Sequence, residues 1–414
     1  MGEKKALRRS EGYLLAFLWW MLVAVVIGGL CGVVGGLFAM AVEGVTHLRQ
    51  EHGWLLYLLP LGGLAIVGLY RLTKLSISIG TDDIITSVRT QEKVPVLLAP
   101  AIYAGTVITH LLGGSAGREG AALQLGGSLG AAVGDLLPRR KSDQRRICEL
   151  CGMAALFAAL FGTPITAAIF VLEIIEVGKV NQRALMPCAV AAITGKLTAQ
   201  LIGAPVDAFP LASGLAQLSA VTALQAAGMG ILCALTAILF CAVMHYAGGG
   251  LKRLIPNDWV RVAVGGCAVV AVSLLLGTRD YNGGGMHVIL AALGGEARPE
   301  AFLLKLLLTA LTLSAGFKGG EIVPSFFVGA TMGCVAASLL GMPPALGAAM
   351  GLVGVFCGVT NAPLASVVLS VELFGAEYLP LMGIVACVSF MLSGHVSIYH
   401  TQLFEQPKLG SIEE

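Results

Sequence analysis

The feature that most constrains this chain is a run of fifty residues without Asp, Glu, Lys or Arg, from Ile322 to Val371. One helix needs about 20 apolar residues to cross the hydrocarbon of a bilayer, so this run must cross or re-enter the membrane more than once. Charged residues make up only 12% of the 414 residues, whereas soluble domains carry roughly 25%. The sequence therefore predicts an all-α protein that passes through the membrane many times, and it excludes a soluble globular protein.

Glycine is unusually frequent, with 55 residues in the chain. Membrane helices tolerate glycine where it allows close packing or a break, because neighbouring helices can satisfy the freed backbone groups. We therefore expect tightly packed helices, several of them interrupted inside the membrane.

The positions of the charges are more informative than their sum. The net charge of +2 indicates no nucleic-acid partner. Basic clusters in residues 1–12 and 139–146 are both predicted to lie in the cytoplasm by the positive-inside bias. The uncharged stretch 13–42 is too long for a signal peptide and reads as a first membrane segment.

The chain repeats itself at a spacing of about 200 residues. Residues 161–174 resemble residues 360–373, which pairs Pro164 with Pro363 and Glu173 with Glu372. Such duplication, together with broken helices, is typical of secondary transporters whose site lies between two halves at mid-membrane. We expect a cytoplasmic N-terminus at 1–12, membrane repeats at 13–206 and 208–405, and a tail at 406–414.

A glycine-rich stretch at residues 113–121 runs directly into an apolar helical pattern, so a helix is predicted to begin inside the membrane. Its first N–H groups have no partners within the helix and carry the positive end of the dipole, which suits weak binding of an anion. Glu119 lies at this start, where its carboxylate could occupy the anion site itself. A second start is predicted at residues 316–324, with Pro324 in the first turn. The two N-termini could converge on one ion.

These residues resemble the motifs of the CLC family of chloride channels and transporters. Residues 117–121 are similar to the G-R-E-G-P motif of that family, residues 320–324 to its G-x-F-x-P motif, and residues 163–173 to its N-A-P-L-A-G-I-L-F-x-x-E segment. The resemblance covers nearly the whole membrane region, in the order and spacing of the family. It implies a homodimer whose subunits are inverted repeats, each with its own anion pathway. It also implies a multi-pass protein of the plasma (inner) membrane of a bacterium.

The resemblance also assigns roles to individual residues. It implies that Glu119 is the external gate and that Tyr399 presents its hydroxyl to the pore. Other anion-contacting positions that it implies, mostly through backbone N–H groups near the two helix starts, are Gly117, Arg118, Gly120, Ala121, Gly320, Glu321 and Ile322. The first family motif, G-S-G-I-P, is not preserved, and its region contributes the candidates Ser78, Ile79 and Gly80.

Two departures from the family pattern bear on proton transfer. The inner glutamate of chloride/proton exchangers would fall at position 174, where this chain has Ile174. Glu321 instead stands at the second helix start, where its proton occupancy could couple to the ion beside it. A glutamate in this motif resembles the fluoride/proton antiporter branch of the family. The sequence therefore favours fluoride export driven by proton entry.

Alternatives remain open at this stage. A chloride channel or a chloride/proton exchanger is the second hypothesis, and Ile174 makes the exchanger less favoured. An intramembrane enzyme is disfavoured because no nucleophile–base pair or HExxH-like motif occurs, and Cys148 and Cys151 lack the further ligands of a zinc site, so no cofactor or metal is expected. Several polar residues are predicted to be structural: paired acids at Glu173 and Glu372, anchors at Arg118 and Lys318, a Lys305 paired with a buried acid, and core histidines at His110 and His245.

Overall fold

The computed structural model describes residues 2–138, 143–405 and 407–408, with side chains described from residue 13 onward. Part of the evidence for orientation lies outside this range. It comprises the side chains of Lys4, Lys5, Arg8 and Arg9 and the loop residues Arg139, Arg140 and Lys141. Most of the predicted tail at 406–414 also lies outside the described residues.

The described chain is mostly helical, with one short 3₁₀ helix at Gly53–Leu58 and one parallel pairing of two strands, β1 (Glu176–Val177) and β2 (Leu403–Phe404). The α-helices are α1 (Gly2–Glu51), α2 (Leu59–Leu72), α3 (Thr81–Thr90), α4 (Leu98–Leu111), α5 (Glu119–Leu136), α6 (Gln144–Phe161), α7 (Pro164–Glu173), α8 (Gln182–Leu201), α9 (Ala220–Leu254), α10 (Asp258–Leu275), α11 (Met286–Leu293), α12 (Ala301–Ala315), α13 (Ile322–Leu340), α14 (Pro344–Thr360), α15 (Pro363–Phe374) and α16 (Leu379–Leu392).

The architecture combines long helices with short ones. Among the described residues, six helical stretches are long and apolar enough to cross a membrane, while six further apolar helices have only 10–17 residues. At 1.5 Å per residue such short helices reach about 15–26 Å, less than the roughly 30 Å of a hydrocarbon core. Their ends must therefore lie inside the membrane, as the glycine content predicts.

Glycine lets two pairs of helices touch backbone to backbone. Gly126 on α5 faces the carbonyl oxygen of Gly152 on α6, and Gly329 on α13 faces that of Gly351 on α14. A side-chain carbon at either position would overlap the neighbouring backbone, so only glycine fits. The two contacts hold α5 and α13, the helices that follow the predicted breaks, in rigid and equivalent settings.

Two acids, the buried Glu173 and the half-buried Glu372, close the open ends of two short helices. The carboxylate of Glu173, at the end of α7, accepts hydrogen bonds from the N–H groups of Leu364 (3.1 Å) and Ala365 (2.8 Å) at the start of α15. Glu372 on α15 does the same for Ile165 (3.1 Å) and Thr166 (2.8 Å) at the start of α7. These first-turn donors have no partner within their own helix. The structural role predicted for both acids is confirmed, and each one caps the helix of the other.

Removing one cap is expected to destabilise the protein. In Glu173→Ala, two buried N–H groups lose their acceptor, which costs roughly 1–3 kcal/mol, whereas Glu173→Gln keeps one acceptor oxygen and should lose less. Thermal unfolding in detergent measures the difference. Glu405→Gln is the matched control, because this acid pairs with Lys179 on the surface at 2.7 Å, and should melt close to the wild type. A Glu173→Ala protein as stable as Glu405→Gln would contradict the capping role.

Candidate anion pathway

The two predicted helix starts meet inside the protein. Gly117 and Gly320 form an antiparallel bridge in which the N–H of Gly117 donates to the carbonyl of Gly320 at 2.8 Å, and the reverse bond measures 2.7 Å. Arg118 and Glu321 follow as the N-caps of α5 and α13. A side-chain carbon on Gly320 would overlap the amide nitrogen of Gly120, so glycine is required for this approach. The bridge places two positive helix ends side by side.

Glu119 turns its side chain back over this junction. Its Oε2 accepts a hydrogen bond from the N–H of Arg118 at 2.9 Å, and the backbone N–H of Val323, in the first turn of α13, also binds the carboxylate. The side chain is only 1% exposed. A carboxylate held by N–H groups of both helices occupies the place that the dipoles and free donors make suitable for an anion. The site is closed by an anion of the protein itself.

Two cavities approach the junction from different sides, and we name them by the predicted orientation. The outer cavity has a volume of about 520 Å³ and reaches Gly117, Arg118 and Glu119 beside the last turns of α1. The inner cavity has a volume of about 260 Å³ and reaches Glu321 and Tyr399. Glu119 thus lines only the outer cavity and Glu321 only the inner one, so the junction separates two water-accessible spaces.

Tyr399 lies at the inner side of the junction. The residue is 3% exposed, and its hydroxyl has no hydrogen-bond partner in the described part of the chain. Buried hydroxyls nearly always have a partner, so this one requires water or a ligand. An anion entering from the inner cavity would supply the missing acceptor.

The remaining predicted residues divide between the inner cavity and the helix starts. Ser78, Ile79 and Gly80 line the inner cavity with Tyr399, although the hydroxyl of Ser78 already shares a hydrogen bond with that of Ser76 at 2.7 Å. Ala121 and Ile322 are buried in the first turns of α5 and α13 and line neither cavity.

Lys318 and Arg118 have different partners. Lys318 was predicted to be an interfacial or ion-paired anchor, and this is wrong, because it is buried and its ammonium donates to the carbonyls of Ile77 (2.6 Å) and Ile79 (3.1 Å). It thereby fixes the loop that contains Ile77 and Ile79 and lines the inner cavity. Arg118 does form an ion pair, at 2.8 Å with Asp207 in the outer cavity. Asp207 was missed by sequence reasoning, and its position as the acid in the link between α8 and α9 was the available signal.

Lys305 lacks the acidic partner that was predicted for it. It is fully buried on α12 and donates instead to the carbonyls of Tyr281 (3.1 Å) and Gly283 (2.5 Å). The bend of the chain through the adjacent glycines exposes these carbonyls, which replace an acid as acceptors. The ammonium therefore holds the loop before α11 that borders the outer cavity.

The two histidines predicted to be core residues differ. A ring nitrogen of His110 lies 3.3 Å from the carbonyl oxygen of Gly117, so this buried ring supports the bridge and the prediction is confirmed. His245 is only half-buried and faces the inner cavity, so the prediction fails there. Ile174, at the position of the inner glutamate of exchangers, is fully buried and apolar.

The fold and the junction are those of a membrane protein of the anion transporter class. Residues 62–394 match the family model described as voltage gated chloride channel. A chloride/fluoride channel protein of Pseudomonas syringae pv. tomato is 36% identical over 411 residues, which are 97% of this chain and 90% of the relative. An H(+)/Cl(-) exchange transporter ClcA of Vibrio campbellii is 25% identical and covers 95% of this chain and 91% of its own length.

Solved structures agree with the family model. A CLC-type fluoride/proton antiporter superposes with a TM-score of 0.90 at 33% identity, over 94% of this chain and 98% of that one. A slow cyanobacterial Cl-/H+ antiporter gives a TM-score of 0.77 at 19% identity, over 90% and 94%. The chain belongs to the voltage gated chloride channel (CLC) family, whose members are transporters rather than enzymes. Its fold is the CLC inverted repeat of tilted and broken helices, as predicted.

Proposed function

We propose that this protein exports fluoride from a bacterial cell in exchange for entering protons, as a homodimer in the inner membrane. Glu119 is the gate, and Glu321 is the carboxylate that couples proton movement to the anion. The anion is held by the N–H groups at the starts of α5 and α13 and by the hydroxyl of Tyr399. The membrane region consists of two repeats, residues 13–206 and residues 208–405.

One observation carries this proposal: two carboxylates stand on opposite sides of one anion-binding junction. Glu119 is seated on N–H groups of α5 and α13 from the outer cavity, and Glu321 is the N-cap of α13 at the inner cavity. Protonation removes the charge that the helix ends attract, so a protonated Glu119 leaves the donors free for an anion. The anion and the deprotonated carboxylate of Glu119 therefore compete for the same donors, which links anion binding to the protonation of Glu119.

Fluoride suits these donors. It is small and strongly hydrated, so it needs strong donors in place of its lost water, and N–H and O–H groups bind anionic acceptors more strongly than neutral ones. The unpartnered hydroxyl of Tyr399 adds such a donor. A fluoride/proton antiporter with 33% identity and a chloride/fluoride channel protein with 36% identity support this choice.

The dimer is supported by the apolar surface around the reciprocal caps. α7 and α15 pack against each other, and their first turns present Ile165 and Leu364, which are 44% and 58% exposed. A second subunit would cover this surface. The repeat boundaries are supported by the matched settings of Glu173 and Glu372 and of Gly126 and Gly329.

The test is a flux measurement on purified protein in liposomes. Loaded with fluoride, the vesicles are expected to release it while protons move in the opposite direction, and an imposed proton gradient should drive fluoride uphill. Release should be much slower from chloride-loaded vesicles. Equal chloride and fluoride release without proton movement would indicate a channel, and proton-coupled chloride release equal to that of fluoride would indicate a chloride/proton exchanger; either result overturns the proposal.

A further inference from the structure

Two histidine rings are stacked at the inner cavity. The ring centroids of His245 and His400 lie 3.8 Å apart, with an angle of 25° between the planes. His245 comes from α9, whereas His400 follows Tyr399 after the end of α16. Both line the cavity that also contains Glu321. The fold therefore brings two imidazole rings, a side chain that commonly transfers protons, to the inner approach of the anion junction.

One nitrogen of this pair is free to accept a proton. Nε2 of His245 is buried and has no hydrogen-bond partner within the described ranges. A buried ring nitrogen of this kind calls for a water or another partner. The inner cavity, at about 260 Å³, has room for several waters, because each occupies about 30 Å³ in the liquid. Water can therefore connect this nitrogen to the other groups that line the cavity.

The charged groups facing the pair leave one acid available. Asp82 on α3 accepts hydrogen bonds from the backbone N–H and the hydroxyl of Thr401, at 3.1 and 2.9 Å. The ammonium of Lys318 is bound to two backbone carbonyls. In the described part of the chain, no hydrogen bond is made to the carboxylate of Glu321. Glu321 is therefore the acid in this cavity with a proton to exchange.

We propose that His245 and His400 together form the acceptor that carries protons from Glu321 to the cytoplasm. This role rests on the proposed function, in which protons enter the cell. The protonated carboxyl of Glu321 passes its proton through cavity water to Nε2 of His245, which leaves a carboxylate and an imidazolium. Cavity water then takes the proton from the imidazolium of His245 to a ring nitrogen of His400, and the exposed ring of His400 releases it to bulk water. Two charged rings at 3.8 Å repel each other, so the pair holds one proton at a time.

The histidine pair would take the role of an inner glutamate that this chain lacks. The position at which exchangers of the family carry an inner glutamate is Ile174, which is buried and cannot bind a proton. Imidazole can bind a proton and release it again, so the pair can fill this role.

The test compares His245→Gln/His400→Gln with the wild type in liposomes that report fluoride and proton flux. With the inner side at neutral pH, both coupled fluxes are expected to fall roughly tenfold or more, as for loss of a positioned proton acceptor. Imidazole buffer on the inner side should restore them, and the dependence of the wild-type fluxes on the inner pH should change in the variant. His395→Gln is the matched control, because this exposed ring contacts Phe404 at 4.9 Å outside the cavity, and its flux should stay unchanged.

Each outcome separates the two proposals. A wild type without proton-coupled fluoride flux overturns the proposed function. A coupled wild type with an equally fast double variant overturns the histidine acceptor alone, as does a slow variant that imidazole does not restore. If the double variant does not purify as a single folded species, His400→Gln carries the same test, since its side chain is exposed.

Discussion

Glu119→Gln protein is expected to lose nearly all proton transport and to lose fluoride export against a gradient. The amide keeps the size of the side chain and can still accept the hydrogen bond from the N–H of Arg118, but it cannot take up or release a proton. Proton flux should fall by at least about a hundredfold, within the range for loss of a positioned acid–base group. The measurement is uphill fluoride movement from liposomes under a proton gradient.

The control for this variant is Glu300→Gln. Glu300 is an exposed acid that lines neither cavity, so its removal changes the net charge by the same amount without touching the junction. It should transport like the wild type. Proton-coupled export that survives in Glu119→Gln would show that another group gates the anion.

Glu321→Gln is expected to slow or uncouple transport while leaving the fold intact. The carboxylate of Glu321 receives no hydrogen bond from the described residues. Replacing it by an amide of the same shape therefore removes the acid without leaving a neighbouring donor unpaired. Coupled proton flux should drop on the order of tenfold or more, and the melting temperature should stay at the wild-type value. Flux assays and thermal unfolding of one preparation measure both quantities.

Glu296→Gln serves as the comparison for Glu321, because Glu296 is exposed and remote from the inner cavity. If Glu321→Gln transports fluoride and protons in the wild-type ratio and at the wild-type rate, Glu321 has no part in coupling. A large drop in melting temperature would instead assign it a structural role.

The helical architecture and the junction could be predicted from sequence because their causes are local. Glycine-rich stretches before Glu119 and before Glu321 interrupt apolar patterns, and an interrupted membrane helix must expose its first N–H groups. The repeat then indicated that the two starts are equivalent. The matched acids Glu173 and Glu372 were also predictable, although not that each one caps the helix of the other.

Contacts between distant segments were not predictable in the same way. A buried lysine can be satisfied by any well-placed carbonyls, so the sequence could not tell that Lys305 and Lys318 bind backbone oxygens rather than acids. The stacking of His245 on His400 depends on how α9 packs beside the last segment of the chain, which no local pattern encodes. Such partners are set by tertiary structure alone.

The exchange of caps between Glu173 and Glu372 has a consequence for ancestry. A polypeptide with only one repeat would contain both the acid and the short helix, but the acid could not cap the helix of the same repeat. Two bare amides in lipid cost several kcal/mol each, so such a polypeptide would need a second copy to supply the missing oxygen atoms. Before gene fusion, this exchange of caps would then have been a contact between separate subunits, whereas it now joins two repeats within one molecule.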